Sequence, residues 1–218
     1  MRRKSSAYVS GVLGVLGVVL GLAVPGSDAR AAEDPQAFVQ RETQKLSDLL
    51  RQPKTDARSA KVSQELDVMV NYDELVHRAF GQPCPAAIPS CTNDWATLTD
   101  AQKQEAAGLL KQLIQKNYQK NIEKTLDYEI SYKGEKAGDS GDTKIRTEAK
   151  SKTKPRDPVV QIDYVVREIN GKVQVVDIVT EGTSQTKSYY DQFDRWLKSP
   201  SDGYPKIVQK LKDAIAKL

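Results

Sequence analysis

Between Ile122 and Tyr128 the apolar residues change their spacing from helical to extended, and that change restricts the folds open to the chain. Ahead of it, Ala107, Leu110, Ile114, Tyr118 and Ile122 recur at intervals of three and four. This spacing lines one face of an α-helix about 34 Å long at about 1.5 Å per residue. Thr99 and Gln102 form a capping box that predicts where the helix begins. Beyond the change, Leu126, Tyr128, Ile130 and Tyr132 alternate with Asp127, Glu129 and Ser131. Thr143, Ile145, Thr147 and Ala149 alternate with charged residues in the same way, as do Val160, Ile162, Tyr164 and Val166 with mostly polar ones. Period two is the mark of a half-buried strand. Gly134–Gly141 reads as a charged turn, and Asn170-Gly171 as a two-residue hairpin leading into a return strand over Lys172–Thr180. Four strands joined by short turns make an antiparallel meander with one covered and one wet face.

Helices flank this meander. Pro35–Arg51 and Ala57–Val70 read as the first two, with Pro53 between them. A short third helix follows Asn71, which can cap it, and Gly81 can end it. After Thr180, Glu181–Ser184 reads as a turn into a helix carrying Tyr189, Phe193, Trp196 and Leu197 on one side. Pro200–Gly203 breaks it, and Ile207, Leu211, Ile215 and Leu218 form a last amphipathic helix. The order predicts an α+β fold, a curved four-stranded antiparallel sheet covered on one face by helices. Apolar stripes of this kind are ordinarily solid core. Tyr118, Tyr128, Tyr132 and Tyr164 are nevertheless all predicted on inward faces, and a buried tyrosine wants a hydrogen-bond partner, which a cavity mouth can supply.

The first thirty residues read as an address. Met1–Lys4 is basic, Tyr8–Val24 is uncharged and apolar, Pro25-Gly26 breaks any helix, and Ala29-Arg30-Ala31 gives a small-residue cleavage signal. This is the order of a secretory signal peptide, expected to span residues 1–31 with cleavage near Ala31. The competing reading, an uncleaved membrane anchor, has only 17 residues of apolar sequence, short for a span. The remainder, residues 32–218, is expected to be a single domain. Export bears on Cys84 and Cys91, which lie in a three-proline loop: an oxidising compartment favours a structural disulfide, while the spacing is not the C-x-x-C of a redox pair.

Charge narrows the function classes. Of the 33 basic and 29 acidic residues, the leader holds four cations against Asp28, leaving 29 basic against 28 acidic in the rest. That near balance argues against nucleic acid as a partner. One histidine and two cysteines leave no metal site built from several of either. His77 has no nucleophile signature beside it. Ser184-x-x-Lys187 matches one motif of the serine acyl-enzymes, but the companion motifs are missing, since Ser201-Asp-Gly203 is not S-D-N. A helix cap accounts for the match. No phosphate-binding or dinucleotide glycine motif occurs. Asp163 and Asp177 are candidates for a carboxylate base in a cone-shaped enzyme pocket acting on a small hydrophobic substrate, although Asp163 falls on the polar face of its strand. A cavity-free interaction module is the third reading.

Three stretches resemble the MlaC family, the toluene-tolerance auxiliary proteins. Tyr72–Gly81 is similar to the family's short helix ending in a hydrophobic residue and glycine. Trp95, Leu98 and Gln102 are similar to its W-x-x-L-x-x-x-Q start of a long helix. Val176–Ser184 is similar to its strand ending in D-(hydrophobic)-x-x-E-G-x-S, with Tyr190 and Phe193 beyond. The chain departs from the pattern in two places. The loop holding Cys84 and Cys91 is inserted between Gly81 and Trp95, and Val173 stands where an aromatic residue is common.

The resemblance implies a soluble periplasmic phospholipid carrier with no cofactor, expected as a monomer. Its apolar cavity would lie between sheet and helices, lined by Tyr118, Leu126, Tyr128, Ile130, Val160, Ile162, Tyr164, Val166 and Ile178. Its partners would be an outer-membrane lipoprotein complex and an inner-membrane ABC transporter with a lipid-binding subunit, the latter hydrolysing the ATP. Exposing acyl chains to water costs roughly 0.8 kcal/mol per CH₂, so two sixteen-carbon chains cost roughly 24 kcal/mol and need shielding in transit.

Overall fold

The computed structural model describes residues 33–84 and 88–218. The leader read in residues 1–31 lies outside the described residues. Side-chain caps start the helices where short polar residues precede apolar runs. Asp34 accepts the Ala37 amide at 2.6 Å and starts α1 (Pro35–Leu50), and Thr55 accepts the Arg58 amide at 3.1 Å and starts α2 (Asp56–Met69). Asn71 does the same for α3 (Tyr72–Ala79) through the Glu74 amide at 2.9 Å. The capping box forms reciprocally at α4 (Asp100–Ile122): the Thr99 amide donates to Gln102 Oε1 at 2.9 Å, and the Gln102 amide to Thr99 Oγ1 at 3.3 Å.

The strands are β1 (Tyr128–Ala137), β2 (Thr143–Ser151), β3 (Val160–Ile169), β4 (Lys172–Thr180) and β5 (Thr183–Ser184), followed by α5 (Gln185–Lys198) and α6 (Gly203–Ala216). The sheet is antiparallel in the order β1-β2-β3-β4-β5. This corrects the expected curved, four-stranded sheet. The sheet has five strands and is neither closed nor strongly curled, with helices on one face. The segment read as a plain turn into α5 makes a tight hairpin, with Glu181 and Gly182 both at positive φ. Thr183 and Ser184 thereby return to pair with Thr180 and Val179. An edge strand of two residues cannot pair with β1 to close a barrel. Elsewhere the edge of β4 is met by a parallel bridge from Val70 to Val175, with the Asn71 amide donating to the Val175 carbonyl at 2.9 Å.

Two bulges alter the simple alternation. The first lies between Tyr132 and Glu135, where Gly134 has φ +92°, so β1 runs on to Ala137 through the residues read as a charged turn. The second sets Val165 opposite Asp177 but Val166 opposite Val175, leaving Val176 as the extra residue of β4. The inward face of β4 is therefore Val173 and Val175 before the bulge, and Ile178 and Thr180 after it.

The solid core lies where α3, α4, α5 and α6 meet the sheet. Val76, Phe80, Leu110, Ile114, Ile145, Val166, Val175, Phe193 and Ile207 are all buried there, with the Phe80 and Phe193 rings 4.8 Å apart. The inserted loop folds back on itself. Cys84 and Cys91 form a disulfide, and the Trp95 amide donates to the Phe80 carbonyl at 3.1 Å across the base of the loop. Gly81 must be glycine: its φ is +76°, and a Cβ would stand 2.2 Å from the Thr92 carbonyl oxygen.

Candidate ligand cavity

The side chains of the inner sheet face fall into two groups. At one end Ile145, Val166 and Val175 are sealed under the helices. Toward the other end Tyr128, Ile130, Tyr132, Ile162, Tyr164 and Ile178 are only half-buried, although they point the same way. The difference comes from what α4 presents. Its residues Leu110 and Ile114 pack into the solid core, whereas one turn on, Asn117 and Tyr118 stand on open space. The result is a cavity of about 720 Å³ between the sheet and α1, α2 and α4. That volume is within the usual range for a site enclosing a small molecule, roughly 300–1,000 Å³.

Seven of the nine residues expected to line a cavity do line this one: Tyr118, Leu126, Tyr128, Ile130, Ile162, Tyr164 and Ile178. Val160 and Val166 do not. Val166 belongs to the solid core at 1% exposure, and Val160 lies at the start of β3. The sequence reading missed the wall made by Leu46 of α1 with Leu66 and Met69 of α2; Tyr132, read as inward-facing, also lines the cavity, with its hydroxyl 2.8 Å from Thr43 Oγ1. The stripes of α1 and α2 announce buried faces, but no pattern separates a residue facing hydrocarbon guest from one facing protein.

The cavity walls are mostly apolar, and the charged side chains that line it are Arg51, Glu129 and Lys152. Burial pushes the Tyr118 and Tyr164 phenols well above their ordinary range, reinforced by neighbouring tyrosines, so both stay neutral. Neither hydroxyl has a hydrogen-bond partner among the described residues. Polar groups gather at the rim, among them Gln40, Gln44, Ser47, Arg51, Lys152 and Gln185. Lys152 Nζ donates to the Leu126 carbonyl at 2.9 Å, and Arg51 pairs with Asp48. An apolar interior with a polar rim can hold hydrocarbon chains and leave a polar end in water.

The residues that suggested catalysis are occupied otherwise. Asp177 Oδ1 accepts the Ile178 amide at 2.8 Å and the Thr186 amide at 3.0 Å, while Ser184 Oγ donates to its Oδ2 at 2.5 Å. It therefore ties β5 and the start of α5 to β4. Asp163 is opposite Arg146 on β2 and Val179 on β4, on the face of the sheet away from the cavity. Ser184 caps α5 by accepting the Lys187 amide at 3.0 Å, which accounts for the S-x-x-K match. The His77 ring packs against Trp95 with centroids 4.7 Å apart. No group of three metal-ligating side chains occurs among the described residues.

An α+β fold whose helices and sheet enclose a mostly apolar cavity with a polar mouth suits a carrier of a hydrocarbon-bearing ligand. The family profile described as MlaC protein matches residues 40–213, and the chain belongs to that family. It is thus a periplasmic lipid carrier of the MlaC type and not an enzyme. Among solved structures, it is similar to a phospholipid-binding protein from Ralstonia solanacearum, determined in complex with a phospholipid. The TM-score is 0.62 at 21% identity, over 85% of this chain and 98% of that one. At that identity the likeness speaks to the fold. No curated protein matches the chain.

Proposed function

We propose that the cavity between sheet and helices receives the acyl chains of a phospholipid, and that the protein shuttles this lipid between an outer-membrane lipoprotein complex and an inner-membrane ABC transporter. In this reading Tyr118, Leu126, Tyr128, Ile130, Ile162, Tyr164 and Ile178 touch the chains, and the head group rests among the polar side chains of the rim. Val160 and Val166 belong to the support of that site. Residues 1–31 direct export and are removed near Ala31, and residues 32–218 act as one monomeric lipid-binding domain. Energy for transport comes from the partner that hydrolyses ATP. The observation that carries the reading is the half-buried state of large apolar side chains on an inward-facing sheet surface, around about 720 Å³ of unfilled space.

Native mass spectrometry of the exported protein tests it. Phospholipid retained at about one molecule per chain is the expected result. A protein that is empty under gentle conditions, with lipid present in the preparation, overturns the proposal.

A further inference from the structure

The loop between β2 and β3 begins at the cavity rim. Lys152 lines the cavity, and its amide donates to the Asp127 carbonyl at 2.8 Å. From there every residue of 152–159 is exposed. The Lys154 amide donates to Ser151 Oγ at 3.0 Å, and the Asp157 amide to the Lys154 carbonyl at 3.0 Å. With Pro155 and Pro158 these bonds give the loop a set shape. It carries Lys152, Lys154 and Arg156 against Asp157 alone. Lys154 and Arg156 make no ion pair among the described residues. Of the acids at neighbouring strand ends, Glu181 accepts the Gln161 amide at 2.5 Å, and Glu129 lies on the cavity lining, opposite Lys150 in the strand register. At the end of the loop Val159 is 46% exposed, one of three large apolar side chains so placed among the described residues.

We propose that this loop docks the cavity mouth onto an anionic lipid bilayer, with Lys154 and Arg156 among the head groups and Val159 at the interface. Flexible cations around an apolar side chain suit a diffuse negative plane. A protein interface of comparable strength would need a packed anchor, usually aromatic, and residues 152–159 contain no aromatic side chain. Contact at the rim places the cavity opening against the source or sink of its lipid. The proposal rests on the lipid-carrier reading for its purpose, and its test is independent of it.

The exported protein is co-sedimented with vesicles of phosphatidylcholine and of phosphatidylcholine with phosphatidylglycerol. Wild type is expected to partition preferentially to the anionic vesicles in dilute buffer and to lose that preference in about 1 M salt, where the screening length is about 3 Å. Lys154→Gln with Arg156→Gln should weaken partitioning by about fivefold for each cation removed. Val159→Ser should weaken it further. Lys144→Gln with Lys172→Gln removes the same charge at the opposite end of the sheet and should leave it near wild type. Equal binding to both vesicle types overturns the proposal, as does an equal loss in the control pair. Loop variants that bind vesicles like wild type also overturn it and leave the loop to a protein partner. Mass spectrometry of the loop variants keeps the two readings apart, because retained lipid with lost vesicle binding is expected here, whereas a wild type without lipid fails the carrier reading alone.

Discussion

Ile162 and Val166 lie on one strand, and both point inward, yet they do different work. Ile162 faces open cavity and Val166 faces Val175 in close packing. Ile162→Trp is expected to fill the cavity and expel lipid with little change in the urea midpoint. Val166→Arg is expected to cost about 3 kcal/mol or more, because it places an unpaired charge in a sealed core. Lipid content by mass spectrometry and urea unfolding on both variants check the pair; lipid retained at wild-type level by a folded Ile162→Trp would show the chains lie elsewhere. Strand and face were legible for both residues from alternation alone. What alternation cannot carry is whether the opposing helix offers Ile114 or an empty turn beside Tyr118. The bulge at Val176 was illegible for a related reason: an extra residue is tolerated wherever the next pair re-forms, and nothing in a run of valines marks where that happens.

At the scale of elements, α1 and α2 hold one wall of the cavity together partly through a pair of carboxyl groups. Glu42 is fully buried, with Lys45 Nζ at 2.9 Å, and Lys45 also reaches Glu65 at 3.3 Å. Burial alone would raise Glu42, but hydrogen bonds from Glu65, Lys45 and Arg41 outweigh it and hold its pKa below the ordinary value. Glu65, hydrogen-bonded to Glu42 and partly desolvated, is raised. A raised carboxyl adds stability below the ordinary glutamate range and loses that contribution as pH rises through its folded value; a lowered one adds stability above that range and loses it as pH falls. Glu65→Gln retains a neutral donor toward Glu42 and abolishes the alkaline loss. Its stability relative to wild type should therefore climb as pH rises above the ordinary glutamate range in urea titrations, and a constant difference would contradict the pairing.

Asp177→Ala removes the acceptor for two amides and the Ser184 hydroxyl, and is expected to cost about 2 kcal/mol, the upper range for a helix cap. The two-residue β5 that Asp177 helps to hold was not legible, because a strand so short has no period of its own. The disulfide loop was legible as an oxidised pair. Replacing Cys84 and Cys91 by serine should cost about 2 kcal/mol and leave lipid content unchanged, since the Trp95–Phe80 backbone bond and the Thr92 amide's bond to the Tyr190 hydroxyl at 2.9 Å pin the loop independently.

The described protein has a solid end and a hollow end built from one continuous sheet. The solid end, with Phe80, Phe193 and Ile207, supplies the burial that stabilises the fold, so the hollow end is free to leave Tyr128, Ile130 and Ile162 without protein partners. Helix and strand order, the caps at Asn71 and Thr99, and most of the cavity lining follow from period and cap chemistry in the sequence. The number of strands and the absence of closure or strong curl do not, because they depend on a tight turn at Glu181-Gly182 and on pairing between residues that alternation leaves unassigned. In the proposed function the hollow end stores acyl chains. A crystal structure of the protein isolated with its lipid should show hydrocarbon density running between Tyr118 and the Ile162–Ile178 surface, with the head group at the rim beside Lys152. Density showing those side chains collapsed on one another, with lipid bound only outside, would contradict it.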